Sequence, residues 1–350
     1  MARYGINDSV RRKAGWWLVS GLAALLCLGA TLWWYGDNRV KIAYDREITS
    51  RYGVPEGVGK VFADEVQHRT ATYRVESSRR KVRRITEING SSHPVDDPGQ
   101  HNASTREINY GENGEIDYIA YLNHHGREVF RETYRDLSDR AAGGRRRRVD
   151  FTWRNPNAPA ISIGDFPLLR EDSSSGESGI NPKSDITGEI VDYTAEGRTG
   201  RIQYCNRSAV PRPNPVGIFG RSFDYDRIGR AIKVVNLGPD GKAFSDKFGV
   251  AARVRTFDAL GNLIEVACFG VDGRPVSDQE GVAKETARYD EHGNRIEAAC
   301  FGLDGKPVFN EEGMAKETCK YDVQGNNLEV DCFGIDGRPG FNRKGFARAV

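Results

Sequence analysis

The chain has 350 residues, a formal charge of +2 and 29% charged residues, so no bulk field marks it as a binder of nucleic acid or acidic ligands. Forty glycines against two methionines suit a turn-rich β protein better than a helical one. Six cysteines without one CxxC pair argue against zinc and thioredoxin-like chemistry.

The first 13 residues form a short basic segment, with Arg3, Arg11, Arg12 and Lys13 against Asp8. Ala14 to Tyr35, "AGWWLVSGLAALLCLGATLWWY", then runs uncharged for 22 positions. That is long enough to cross a hydrocarbon core of about 30 Å as a helix. Trp16 and Trp17 stand at one end, and Trp33, Trp34 and Tyr35 at the other, as aromatic belts do at the two interfaces. The charge bias predicts a single-pass signal-anchor with a cytoplasmic N-terminus and a periplasmic or extracellular C-terminal region. A cleaved signal peptide is the rival, but "LGATLWWYG" is a poor small-residue cleavage site. Ala24, Leu25 and Leu26 before Cys27 also lack the small residue of a lipoprotein site.

Residues 36–169 read as a degenerate β-hairpin region. Stretches around Tyr73 and from Arg106 to Tyr134 follow a strand, turn, strand grammar, with Gly114 and Gly126 at turns. Residues 170–187 are polar and rich in Ser and Gly, which predicts a linker or long loop.

Residues 188–350 repeat every 32 positions: "CFGVDGRPV" at Cys268 returns as "CFGLDGKPV" at Cys300 and "CFGIDGRPG" at Cys332. A first turn carries Asp226, Asp258, Asp290 or Asp322, with Gly229, Gly261, Gly293 or Gly325 three residues on. A degenerate copy places Gly197 in phase. A second turn carries Asp240-Gly241, Asp272-Gly273, Asp304-Gly305 or Asp336-Gly337, the positive-φ chemistry that hairpins need. Pro275, Pro307 and Pro339 follow it where no ladder donor is required. Two strands per unit on short connections predict a mainly β fold, an antiparallel hairpin array of meander or solenoid type. The last unit is incomplete, which leaves an open edge suited to self-association.

Equivalent cysteines in successive units lie two strand spacings apart, about 10 Å, beyond the roughly 7 Å that a disulfide tolerates. Cys268, Cys300 and Cys332 are therefore expected as small apolar ladder residues.

The Tyr-Asp-x-x-Gly-[Asn/Arg] signature, as in "YDEHGN", resembles the YD repeats of Rhs-type bacterial surface and toxin proteins over residues 188–350. The resemblance implies a spiralling β-sheet that acts as a shell or a carbohydrate-contacting stalk. The period is longer here, and the "FGxDGKPV" element is an addition. That element is also similar to cell-wall-binding repeats, but their paired aromatics are missing.

No residue is singled out for catalysis, cofactor binding or metal binding. His124-His125 falls at an expected turn with no carboxylate or cysteine beside it, a poor metal site. The repeated turn aspartates lack the spacing of a calcium loop. The basic runs Arg79–Arg84 and Arg145–Arg148 read as solvated charge. Neither a G-x-S-x-G, a P-loop nor a G-x-G-x-x-G after a strand is present. The expectation is a non-enzymatic, membrane-anchored binding or scaffold module of the bacterial cell envelope, with a glycan or protein ligand on its repeat surface and no nucleic acid. The alternative is the anchor or sensor part of a larger enzyme or effector whose catalytic domain follows residue 350.

Overall fold

Among the described residues, short alternating runs, most of them followed by a turn that holds a positive-φ residue, build an antiparallel sheet of nineteen strands. The computed structural model describes residues 38–96, 103–137, 145–155, 180, 182–343, 345 and 348–349. The span expected over 14–35 lies outside them, as do residues 170–179 and 181 of the Ser/Gly-rich stretch. Among the described residues, no helix is long and apolar enough to cross a membrane.

The first strands are β1 (Lys41–Arg51), β2 (Val54–Val61), β3 (Thr72–Ser78), β4 (Lys81–Ile88), β5 (Thr105–Tyr110), β6 (Ile116–Leu122), β7 (Glu128–Asp136) and β8 (Arg146–Trp153). Five two-stranded units follow in phase. They are β9 (Gly188–Tyr193) with β10 (Thr199–Cys205), β11 (Gly220–Tyr225) with β12 (Ala231–Leu237), and β13 (Ala252–Phe257) with β14 (Leu263–Phe269). Then come β15 (Lys284–Tyr289) with β16 (Arg295–Phe301), and β17 (Lys316–Tyr321) with β18 (Asn327–Phe333); β19 (Arg348–Ala349) closes the series. From β4 to β18 every strand pairs with its predecessor and its successor, while β1 pairs with both β2 and β3, so that β3 lies beside β1 and not beside β2. From β3 onward the result is a meander.

The turn grammar has a single local cause. In "YDEHG", the Gly293 N–H donates to the Asp290 carbonyl at 3.1 Å. The Asp290 side chain accepts from the His292 and Asn294 N–H groups at 3.0 and 2.8 Å. A register shift follows between Arg288 and Tyr289, so this is a type I turn closed by a bulge glycine. The same arrangement recurs at Asp226, Asp258 and Asp322. The first-turn glycines Gly197, Gly229, Gly261, Gly293 and Gly325 have φ of 84°, 94°, 91°, 84° and 73°. Gly241, Gly273, Gly305 and Gly337 lie between 73° and 75°. The prolines sit in isolated bridges, Phe269↔Pro275, Phe301↔Pro307 and Phe333↔Pro339, where the residue after Pro275 or Pro307 supplies the donor.

Two further copies of the second turn share the same backbone pattern. Ile88 bridges Pro94 and Cys205 bridges Pro211, with Ser92 and Ala209 at φ 61° where later units have glycine. "NGSSHP" and "NRSAVP" have the backbone of the turn without its Asp-Gly signature.

The main core lies under β3 to β12, centred on Phe130, Tyr121, Ile119, Ile202, Tyr204 and Val234. Ile180 and Ile186, within the Ser/Gly-rich stretch, belong to it. Beyond β12 a smaller cluster forms around Leu263, Val266 and Ala287, and small side chains such as Ala298, Cys300, Cys319 and Cys332 are buried, as are Val282 and Met314. Cys205, Cys268, Cys300, Cys319 and Cys332 are all free and buried.

Candidate interaction surface

Two rows of turns border the sheet, and they have opposite characters. The Tyr-Asp row is covered by the chain's own N-terminal strand. The Tyr52 N–H donates to the Gly197 carbonyl at 2.6 Å, and the Thr49 hydroxyl donates to the Gly229 carbonyl at 3.0 Å. The Arg46 guanidinium donates to the Asn262 side-chain oxygen at 3.1 Å. Each step of three residues along β1 advances one unit along the array. Three residues of extended chain rise about 10 Å, which is also two strand spacings, so the two periods match.

Residues 68–70 continue this contact after β2 turns away. The Thr70 N–H donates to the Asn294 side-chain oxygen at 2.8 Å, and the Asn294 amide donates to the His68 carbonyl at 2.8 Å. The His68 and His292 rings stack with centroids 4.9 Å apart, and His68 Nδ1 also meets the Val323 carbonyl. The position just after each turn glycine thus meets the strap in three units, through Arg198, Asn262 and Asn294. That is a role for the [Asn/Arg] of the motif that spacing alone does not reveal.

The repeated tyrosine has its own task. The Tyr225, Tyr289 and Tyr321 hydroxyls donate to the carbonyls of Thr199, Leu263 and Arg295, each 26 residues earlier, at 2.8 to 2.9 Å. Each bond ties one unit to the unit before it. Burial pushes the Tyr289 hydroxyl up to about 12, so it stays a donor at any physiological pH.

A few charged side chains are buried within the fold. The Arg145–Arg148 run, expected on a solvated face, is woven into the fold because strand alternation turns Arg147 inward, where it is 1% exposed. Arg147 donates to Asp136 at 2.6 Å, Glu115 at 2.8 Å and the Tyr52 carbonyl at 2.6 Å. Arg145 joins the same two carboxylates, and Arg146 pairs with Asp192. Burial alone would raise the Glu115 and Asp136 carboxyls, but the arginine hydrogen bonds hold both below the usual range. His124 meets Asp96, a carboxylate that its sequence neighbourhood did not announce. Among the described residues, however, no group of three or more His, Cys, Asp or Glu could hold a metal ion. Burial pushes the Cys268 thiol up to about 11, which makes it a poor nucleophile and a packing residue.

The second row of turns is open. Val271, Leu303 and Ile335 occupy the same place in three successive units and are 59%, 62% and 52% exposed. Asp272 with Arg274, Asp304 with Lys306, and Asp336 with Arg338 flank them as weak surface ion pairs. Arg207 and Pro239 hold that place in the two preceding units, so the turn itself does not demand an apolar residue.

This geometry defines a β-hairpin repeat array strapped along one border by its own N-terminal strand. No protein-family model matches the chain, and no curated protein matches it. Solved structures with detectable similarity include a Photorhabdus luminescens Tc holotoxin pore bearing a TccC3-D651A mutation. It shares 10% identity at TM-score 0.21 over 79% of this chain and 16% of that one. A TcdB2-TccC3-TEV crystal structure matches at 11% identity and TM-score 0.25, over 79% and 14%. A TcdB2-TccC3-Cdc42 structure matches at 12% and 0.24, over 74% and 13%. The chain therefore spans about one sixth or less of the chains it matches. At these TM-scores the likeness carries no argument about activity or partner.

Proposed function

We propose that the chain is a membrane-anchored, exported β-repeat module that binds an extended partner, glycan or polypeptide, and catalyses nothing itself. The observation that supports this reading is the exposed row of Val271, Leu303 and Ile335 with its flanking charges. One apolar side chain and one ion pair per unit, about 10 Å apart, form a surface whose period suits a linear partner. The apolar run Ala14–Tyr35 supplies the anchor in this reading.

The test is a titration of the full chain, in neutral lipid nanodiscs, with β-linked oligosaccharides and extended peptides of increasing length. Affinity should climb until the ligand spans about 20 Å, the reach of three units, and then level off. The triple variant Val271→Ser, Leu303→Ser, Ile335→Ser should weaken the longest ligand at least about tenfold and leave the melting temperature in place. Length-independent binding, or binding that the triple variant leaves untouched, would overturn the reading.

A further inference from the structure

The described chain begins three residues after Tyr35, the last of the apolar run, and a second patch is gathered at that point. Val40, Ile42 and Phe62 are 56%, 50% and 73% exposed. The Tyr44↔Val61 pair brings Phe62, one residue further on, to the same end of the β1/β2 ribbon as Ile42. Arg39, Lys41 and Lys60 are exposed beside them. The pairing Lys41↔Ser77 then carries the β3–β4 turn to the same place, with the Arg79 guanidinium donating to the Asn38 side chain. Arg79 and Arg80 both hold positive φ, 49° and 59°, at the tip of that turn and are exposed. Five cations and three large apolar side chains are therefore gathered beside Asn38, against the exposed Asp64 and Glu65.

The apolar members of this patch lie outside the described core clusters, and its tip arginines occupy a backbone region that non-glycine residues rarely adopt. We propose that this end docks on an anionic lipid surface, with Phe62, Ile42 and Val40 entering the headgroup layer and Arg39, Lys41, Lys60, Arg79 and Arg80 meeting lipid phosphates. The proposal rests on the membrane anchor of the preceding section. Chain length is the argument for that occupant over any other. Three residues span at most about 10 Å, so a helix ending at Tyr35 leaves the patch no further than that from the headgroups. An interfacial surface of mixed cationic and apolar side chains is what anionic lipids attract. Docking there would fix the array's orientation on the membrane and point the Val271, Leu303 and Ile335 row in a defined direction.

The full chain would be reconstituted into vesicles of neutral phosphatidylcholine, alone or with about one third phosphatidylglycerol, then floated and followed by amide hydrogen exchange. Flotation with both lipids is expected. Exchange of residues 38–43, 60–63 and 78–81 should be at least about threefold slower on the anionic vesicles. The triple variant Arg39→Glu, Lys41→Glu, Arg79→Glu should float equally and lose that difference, while protection of residues 284–321 is unchanged. Failure to float on neutral vesicles would overturn the anchor and the docking together. Flotation with lipid-independent exchange would overturn the docking alone. Protection that follows protein concentration in detergent without lipid would assign the patch to a second copy of the chain and overturn the proposal.

Discussion

The Arg255 guanidinium donates to the Ala231 carbonyl at 3.1 Å, and it does so because residue 257 is a phenylalanine. In three other units a tyrosine hydroxyl bonds the carbonyl 26 residues before it, and Ala231 is the residue 26 before Phe257. Phe257 keeps the ring, packed within 4.7 Å of the Arg255 guanidinium, and lacks the hydroxyl. The buried arginine, also 3.6 Å from Glu47 of the strap, satisfies the acceptor instead. The bond is the retained feature, and two side chains supply it.

Tyr289→Phe should therefore cost about 1 kcal/mol, the net worth of one hydrogen bond. Arg255→Leu should cost more, about 3 kcal/mol, since it leaves both the Ala231 carbonyl and the Glu47 carboxylate without their partner. Adding Phe257→Tyr to Arg255→Leu should restore about 1 kcal/mol by returning the hydroxyl. Urea unfolding of the three variants decides it, and a double variant no better than Arg255→Leu would refute the exchange of roles.

The strap's register is testable by insertion. One alanine placed between Glu47 and Ile48 breaks the three-residues-per-unit match for everything on one side of it. A loss of about 3 kcal/mol is expected, with faster exchange at the Gly229 and Asn262 turns. The same insertion after Ala63, in an exposed connection, should change little. Equal effects from the two insertions would show that β1 is not in register with the array.

Gly325 and Gly273 separate backbone strain from crowding. Both have φ near 75°, but a Cβ at Gly325 would lie 2.6 Å from the Arg69 backbone, while one at Gly273 meets nothing within 4 Å. Gly273→Ala should cost about 1 kcal/mol for the left-handed conformation alone. Gly325→Ala should cost at least twice that, because a main-chain atom cannot step aside. Thermal melts that rank the two equally would mean that residues 68–70 do not press on the Gly325 turn.

The carboxylates predict a pH profile with two opposed limbs. Burial raises Glu47 and Asp45 above their ordinary values, against the pull of Arg255 and Lys60. The folded state then binds those protons more readily than the unfolded chain does. This contribution grows as pH falls toward the ordinary carboxylate range and is lost as pH rises through the raised folded values. Glu115 and Asp136 behave in the opposite way: their contribution is present above the ordinary values and is lost as pH falls through the lowered folded ones. Glu47→Gln should flatten the limb above the ordinary glutamate value, and Glu115→Gln the limb below it. Melting temperatures between about pH 3 and 8 give the profile. A Glu47→Gln curve parallel to wild type throughout would remove the strap carboxylate from the account.

The sequence by itself determined the units, their period and their turns. Asp290 bonds the N–H groups of residues two and four further on, and Gly293 closes a turn begun at Asp290, so the whole device is written within five residues. The cysteine spacing was legible for the same reason, since strand spacing is a constant of the backbone. What the tertiary structure alone decided is that one row of turns is covered and the other is left open. Thr49 meets Gly229 across 180 residues and His68 meets Val323 across 255. No local preference marks those partners, and only the tertiary fold brings them together. The burial of Arg147 was hidden likewise. A run of four arginines reads as solvated charge until Asp136 of the paired strand β7 is joined by Glu115 and the Tyr52 carbonyl from segments further away. Interactions that close within one turn are fixed by the order of residues, whereas those between turns depend on where distant strands of the sheet are placed relative to one another.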